Sequence, residues 1–189
     1  MFALCACVRR VARMKALLTC FALLVSSFTL RAADAPATYN VGQFKLGGYI
    51  TGPQLTLENA KGKAVLIDVW GVHCGPCLRS LPEIEAIAKR YKDKMVVFGA
   101  HAQGGPEAAV KAVAAQNKLT YTITDNLNCP IPSAGIPHVY VFDATGGLVY
   151  TGSPFDQNFG RALQVATKGV IKTPAPRVSA LDSFKKASQ

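Results

Sequence analysis

Between Ala64 and Val69 the chain is almost unbroken in hydrophobicity: Ala64-Val65-Leu66-Ile67-Asp68-Val69, with Asp68 the single polar position. A run this short and this apolar predicts a buried strand. A tight turn follows, and then Leu78-Arg79-Ser80-Leu81-Pro82-Glu83-Ile84-Glu85-Ala86-Ile87-Ala88 takes up helical spacing. The predicted helix runs from about residue 74 to 92, and Pro82 inside it is expected to kink it. Met95-Val96-Val97-Phe98-Gly99-Ala100 predicts a second buried strand. Residues 106–117 have helical composition, with Pro106 suited to the first turn. Thr120-Tyr121-Thr122-Ile123-Thr124 is a strand by propensity. Residues 125–136 read as a proline-containing loop. Val139-Tyr140-Val141-Phe142 and the stretch Asp143 to Tyr150, with Gly146-Gly147 at its centre, predict a hairpin. A last helix is expected over 158–169.

Ahead of the first buried strand, Val41-Gly42-Gln43-Phe44 and Gly47-Gly48-Tyr49-Ile50-Thr51 predict a hairpin or an edge strand. The alternation of strands and helices argues for an α/β domain with a mixed sheet. No internal repeat is visible.

The N-terminus has a different pattern. Arg9, Arg10, Arg13 and Lys15 precede a charge-free apolar run from Ala16 to Leu30, and small residues follow to Ala37. This is a secretory leader pattern, and Met14-Lys15 already begins a complete one. Ala35-Pro36-Ala37 is a cleavage signal; Ala33-Asp34-Ala35 is its rival but would leave Pro36 just after the cut. An uncleaved anchor is the alternative, although the run is short of the ~20 residues of a spanning helix. Leu17-Leu18-Thr19 before Cys20 makes a poor lipidation signal. The expected organisation is a signal peptide or anchor over 1–37, one domain over 38–172, and a tail over 173–189 with at most a short helix near 181–186.

The 189 residues are half hydrophobic, enough for one domain with a sizeable core. Six cysteines look like a disulfide scaffold until the leader is set aside with Cys5, Cys7 and Cys20; Cys74, Cys77 and Cys129 remain. The formal charge is +10; residues 1–37 hold five basic residues and one acid, and the remaining 16 basic and 10 acidic residues leave about +6. The basic residues are scattered, except in Lys89-Arg90-Tyr91-Lys92-Asp93-Lys94 at a predicted helix end, where cations suit the dipole. A nucleic-acid partner is therefore not expected.

The chemistry concentrates in Trp70-Gly71-Val72-His73-Cys74-Gly75-Pro76-Cys77. Two thiols one helical turn apart, at a helix N-terminus, face unpaired N–H groups and the positive end of the dipole, so a thiolate is favoured there. They can close a small disulfide and so take up and return two electrons. Half of a zinc site looks the same, but no second Cys-x-x-Cys or His pair is present. Asp68 lies six positions before Cys74, where strand alternation turns it inward beneath the sulfurs. Ala134-Gly135-Ile136-Pro137-His138 places a proline immediately before a strand, a candidate cis peptide.

These residues resemble the thioredoxin superfamily: the inward acid Asp68, Trp70, the pair Cys74 and Cys77 around Gly75-Pro76, the helix proline Pro82 and the pre-strand Pro137. The resemblance covers roughly residues 40–170. The helix–strand insert, the extra N-terminal β segment and the leader are similar to the TlpA/ResA-type oxidoreductases of the bacterial cell envelope. His73 departs from the Trp usual there in thioredoxins, and Cys129 is outside the motif. The resemblance implies a thioredoxin fold, a mixed sheet flanked by helices. It implies an exported, periplasm-facing protein-disulfide reductase with no cofactor, since Gly-Pro between the cysteines accompanies reducing members. Implied partners are envelope proteins with disulfides, as in cytochrome c maturation, copper-site proteins or misfolded secreted proteins, and an upstream membrane electron donor. Membrane contact is expected only through the N-terminal segment.

Within that chemistry Cys74 is the expected attacking thiol, Cys77 the resolving one, and Asp68 the proton acceptor for Cys77, with its carboxyl holding a proton more tightly than usual. Trp70, Gly75, Pro76, Ile136 and Pro137 are the expected substrate-binding residues, Trp70 also supporting the turn from below. His73 could lower the Cys74 thiol pKa; His101 is read as structural. His138 is expected near the pair, which opens a second reading: copper or zinc held by Cys74, Cys77 and His138, with or without Cys129, as in a metallochaperone. A thiol peroxidase would need a lone cysteine in a Pro- and Thr-containing loop, which is absent.

Overall fold

A computed structural model describes residues 39–170; the leader pattern and the tail lie outside the described residues. The first strands are β1 (Lys45–Leu46) and β2 (Tyr49–Thr51). The apolar run becomes β3 (Ala64–Trp70), with all seven residues buried. After β3 come α1 (Gly75–Arg90), β4 (Met95–His101), α2 (Glu107–Gln116), β5 (Thr122–Asp125), β6 (Leu127–Asn128), β7 (His138–Phe142), β8 (Leu148–Gly152) and α3 (Phe159–Lys168).

Six strands form one sheet in the order β2-β5-β4-β3-β7-β8. β3, β4 and β5 are parallel neighbours, and β2, β7 and β8 add antiparallel at the edges. Parallel strands covered on both faces read as continuous apolar runs, as β3 and β4 do. The two faces of β3 separate by the two-residue period. Leu66 and Trp70 pack with Cys77, Leu81 and Ile84 of α1 and with Leu163 of α3. Val65, Ile67 and Val69 pack with Phe44, Phe98, Tyr140 and Phe142 on the other face. α1 buries Cys77, Ser80, Leu81, Ile84, Glu85 and Ile87, a stripe at helical spacing, and ends on Lys89 and Arg90 at the negative end of its dipole.

This is the thioredoxin fold that the sequence implies, with α2 and β5 as the helix–strand insertion and β5 carrying β2 at the sheet edge. Several local expectations differ. Of the two expectations for the segment before β3, the edge strand forms and the hairpin does not: β2 pairs with β5 at the sheet edge, Val41–Gln43 is a 3₁₀ turn capped by Asn40, and β1 pairs with β6 in a separate two-stranded ribbon. β6 lies within the stretch expected to be all loop. Pro106 caps α2 from outside rather than sitting in its first turn. Pro82 lies inside α1 without ending it.

Among the described residues no helix is long and apolar enough to cross a membrane.

Candidate active site

β3 delivers the chain to the site and α1 receives it. Trp70 ends the strand, Gly71–His73 turn, and Cys74 is the N-cap of α1 in extended conformation, its N–H donating to the Gly71 carbonyl at 3.1 Å. Cys74 and Cys77 form a disulfide with their Cα atoms 5.1 Å apart. The Cys77 N–H donates to Cys74 Sγ at 3.1 Å, so one of the unpaired amides of the helix start is aimed at the outer sulfur. Both cysteines are buried, Cys74 less completely, at 7% exposed against none for Cys77. Gly75 and Pro76 between them are exposed.

A segment some sixty residues away completes the rim. β7 pairs antiparallel with β3, with His138 beside Val69, so the residues just before β7 arrive at the exit of β3. The Ile136 carbonyl lies 3.7 Å from Cys74 Sγ, and the Ile136–Pro137 peptide is cis. The proline presents no N–H to the sulfurs.

Asp68 shares the face of Leu66 and Trp70, the face on which Cys77 packs. It is fully buried, both carboxylate oxygens lack a partner among the described residues, and burial pushes its pKa up to about 7. Trp70 Nε1 and the Tyr121 hydroxyl are likewise buried and unpartnered. Asp68 stands beside Gly99 in the β3–β4 register. A Cβ on Gly99 would lie 3.0 Å from both Trp70 Nε1 and Tyr121 Cε2, so the missing side chain makes room for a small group of polar atoms. Burial, then the negative charges of Asp68 and Glu85, raise the Tyr121 phenol well above its usual range. In the sequence Tyr121 is legible only as a strand residue; its place beside Asp68 follows from the pairing of β4 with β5.

Trp70 is fully buried and edge-on to His101, with ring centroids 5.4 Å apart, which fits the supporting half of its expected role and leaves no exposed surface for the recognition half in this form. His73 is exposed next to Cys74. His138 Nε2 is engaged with Thr151 Oγ1 at 2.7 Å, and burial lowers its pKa. Cys129 is half-buried on the opposite face of the sheet, its Sγ 3.2 Å from the Ile131 carbonyl and 3.6 Å from the Tyr140 hydroxyl. Among the described residues no three His, Cys, Asp or Glu side chains converge into a metal-binding group, so the donor set of the metallochaperone reading is not brought together.

A Cys-x-x-Cys disulfide at a helix start, on the same sheet face as a buried acid and beside a cis-proline turn, is the site of a protein of the thioredoxin superfamily. Residues 40–186 match the Redoxin family, and the chain belongs to it. It is 30% identical over 102 residues to the thioredoxin-like protein YneN of Bacillus subtilis, covering 51% of this chain and 60% of that one. It is 29% identical over 104 residues to the thiol-disulfide oxidoreductase ResA of Bacillus cereus, covering 53% and 60%. The chain thus spans 60% of the length of each of these relatives. Among solved structures, a thiol:disulfide interchange protein of the thioredoxin family from Chlorobium tepidum superposes with a TM-score of 0.59 at 21% identity, over 71% of this chain and 99% of that one. A DsbF homologue from Corynebacterium diphtheriae gives 0.59 at 19%, over 70% and 89%. These two likenesses bear on the fold.

Proposed function

We propose that this protein is a thiol–disulfide oxidoreductase that reduces protein disulfides in the bacterial cell envelope. The observation that carries the reading is the Cys74 sulfur, which accepts the Cys77 N–H at the start of α1 while Cys77 stays buried. In the dithiol form the same amide and the helix dipole favour a thiolate at Cys74.

The reaction begins as the Cys74 thiolate attacks one sulfur of a substrate disulfide. A Cys74–substrate bond forms, the substrate S–S bond breaks, and the released substrate thiolate takes a proton from water. Cys77 then gives its proton to Asp68 and attacks Cys74 Sγ. The Cys74–Cys77 bond closes and the second substrate thiol leaves. Two electrons have passed from protein to substrate, and an upstream dithiol donor on the membrane returns them. A carboxyl with a pKa of about 7 suits this exchange, because it can hold or release the proton near neutrality. Gly75 and Pro76 keep the approach open, and the Ile136 carbonyl beside Pro137 offers an extended substrate segment a backbone partner.

Export follows from the leader pattern: residues 1–37 direct or anchor the chain, 38–172 carry the redox domain and 173–189 form a tail. The Gly-Pro spacer supports the reducing assignment and the leader pattern the envelope-facing one, while the likeness to a thiol-disulfide oxidoreductase, ResA, supports the redox chemistry. The test is reduction of insulin disulfides in the presence of dithiothreitol. The chain lacking residues 1–37 should accelerate insulin precipitation, and Cys74→Ser should abolish the effect. Unchanged activity in that variant would sink the mechanism.

A further inference from the structure

The loop that presents Cys74 is held by side chains from the neighbouring strand. β3 and β4 are parallel, with Trp70 beside His101 in register, so the exit of β4 runs alongside the exit of β3. The Ala102 N–H donates to the Trp70 carbonyl at 2.8 Å and joins the two exits. The next loop amides go to side chains. The Val72 N–H donates to His101 Nε2 at 3.2 Å, and the His73 N–H donates to Gln103 Oε1 at 2.8 Å. A Cβ on Gly71 would fall on the Gln103 side chain, which explains the glycine there. Two consecutive amides immediately before Cys74 are therefore satisfied by two residues of one strand exit.

We propose that His101 and Gln103 are positioning residues, a two-point brace that sets the place of Cys74 and with it the dithiol–disulfide equilibrium of the Cys74–Cys77 pair, and that the His101 arm opens on acidification. The proposal rests on the oxidoreductase reading above. Its acid sensitivity follows from the imidazole itself. A neutral ring has one donor and one acceptor nitrogen, and here Nε2 accepts, so the proton sits on Nδ1. Protonation would set two donors, Nε2–H and the Val72 N–H, against each other. His101 is 3% exposed. The titratable group facing it is His73 from the loop; Trp70 packs on its ring, and Asp125 of β5, its register neighbour, is exposed. Burial first, and then charge on His73, lower the His101 pKa, so the brace is closed at neutral pH and opens below the usual histidine range.

The experiment equilibrates the protein with glutathione redox buffers, reads the oxidised fraction by alkylation and mass, and follows the Val72 and His73 amides by NMR hydrogen exchange across pH. Gln103 is exposed, so Gln103→Ala tests the brace without burdening the fold. The brace as proposed holds the loop more tightly in the disulfide form, the form in which both bonds are seen, so losing one should favour the dithiol by about two- to tenfold and unprotect the His73 amide. His101→Gln puts a non-titrating acceptor where Nε2 stood. It should keep the Val72 amide protected and remove the loss of protection that the wild type shows on acidification. An unshifted equilibrium in Gln103→Ala, or a shift toward the disulfide, would overturn the brace, as would Val72 protection in the wild type that ignores pH. A wild-type pair that does not exchange with glutathione at all would overturn the oxidoreductase reading instead, and the amide protections would still report on the brace.

Discussion

The Cys77 N–H points at the Cys74 sulfur, 3.1 Å away, so the residue that closes the disulfide also supplies the hydrogen bond that favours a thiolate when it opens. In the proposed reaction the two cysteines separate in role by position, Cys74 at the helix start as nucleophile and the more deeply buried Cys77 as the group that resolves. Cys77→Ser keeps its backbone N–H and leaves the Cys74 environment intact. That variant should still attack substrate and should accumulate the Cys74–substrate mixed disulfide, visible as a covalent complex on non-reducing gels. Iodoacetamide should modify its Cys74 with a midpoint below the ~8.5 of a free thiol. A midpoint at or above that value would remove the role given to the helix start.

Asp68 should make the protein less stable as pH rises. Its pKa goes from 3.8 to about 7 on burial, so the folded state binds the proton more tightly than the unfolded chain does. Stability is highest below about pH 4 with respect to this group, and it falls as pH rises to about 7, where the folded carboxyl ionises. Each tenfold gain in proton affinity is worth about 1.4 kcal/mol, so Asp68→Asn should stabilise the protein by on the order of 4 kcal/mol at pH 8 and by little at pH 4. Urea unfolding at the two pH values checks this. An equal gap at both would show that Asp68 does not titrate as its surroundings dictate.

Turnover gives a second readout of the same side chain. Cys77 must lose a proton before it can attack, whereas Cys74 is already favoured as a thiolate. Asp68→Asn should therefore slow release of the mixed disulfide at neutral pH while leaving its formation nearly unchanged. In a Cys77→Ser background, where release cannot occur, the added Asp68 change should have no effect on trapping. Stopped-flow measurement with a single-disulfide peptide separates the two steps, and normal release in the Asp68 variant would leave the acid a structural role only.

Gly99 should be sensitive for a steric reason. Its Cβ position lies 3.0 Å from the Trp70 indole nitrogen and from the Tyr121 ring, closer than a methyl group tolerates without displacing one of them. Both rings are buried against other core residues and have little freedom to retreat. Gly99→Ala is expected to cost about 1–3 kcal/mol, measured as a lowered urea midpoint at unchanged slope. A variant as stable as the wild type would mean that the space beside Asp68 is looser than its neighbours imply.

How far the fold can be read from the chain depends on whether an element announces itself locally. β3 and α1 do, because seven consecutive buried positions and a stripe at helical spacing are properties of contiguous residues. The pairing of β1 with β6 does not. Lys45–Leu46 and Leu127–Asn128 are too short to have a period, and they meet only because the rest of the sheet brings them together. The site divides in the same way. Cys74, Cys77 and Asp68 sit on one contiguous strand–turn–helix and are legible from spacing. Tyr121 and His101 have ordinary local sequence, and their relation to the site comes from the registers of β4 with β5 and β3 with β4. Trp70 is legible as a support beneath the turn, because it ends the apolar strand that leads into it; that its indole is wholly buried comes from the packing of α1 and β4 around it.

Cys129 is the remaining thiol among the described residues, and its placement argues against exchange with the catalytic pair. It packs with the cluster of Phe44, Tyr140 and Phe142, while Cys74 and Cys77 belong to the cluster on the other face of the sheet. Its sulfur is occupied by the Ile131 carbonyl and faces the Tyr140 hydroxyl, which itself donates to the same carbonyl. A thiol in that setting is a small packed side chain with a weak hydrogen bond. Peptide mapping of the oxidised protein should find a single bridge between Cys74 and Cys77. Cys129 should react with an alkylating reagent far more slowly in the folded protein than in urea. Cys129→Ala should leave insulin reduction unchanged and cost about 1 kcal/mol or somewhat more in stability, from the lost sulfur packing. Recovery of a Cys74–Cys129 peptide would show instead that the 125–136 segment swings past the sheet edge, and it would make Cys129 a third redox partner.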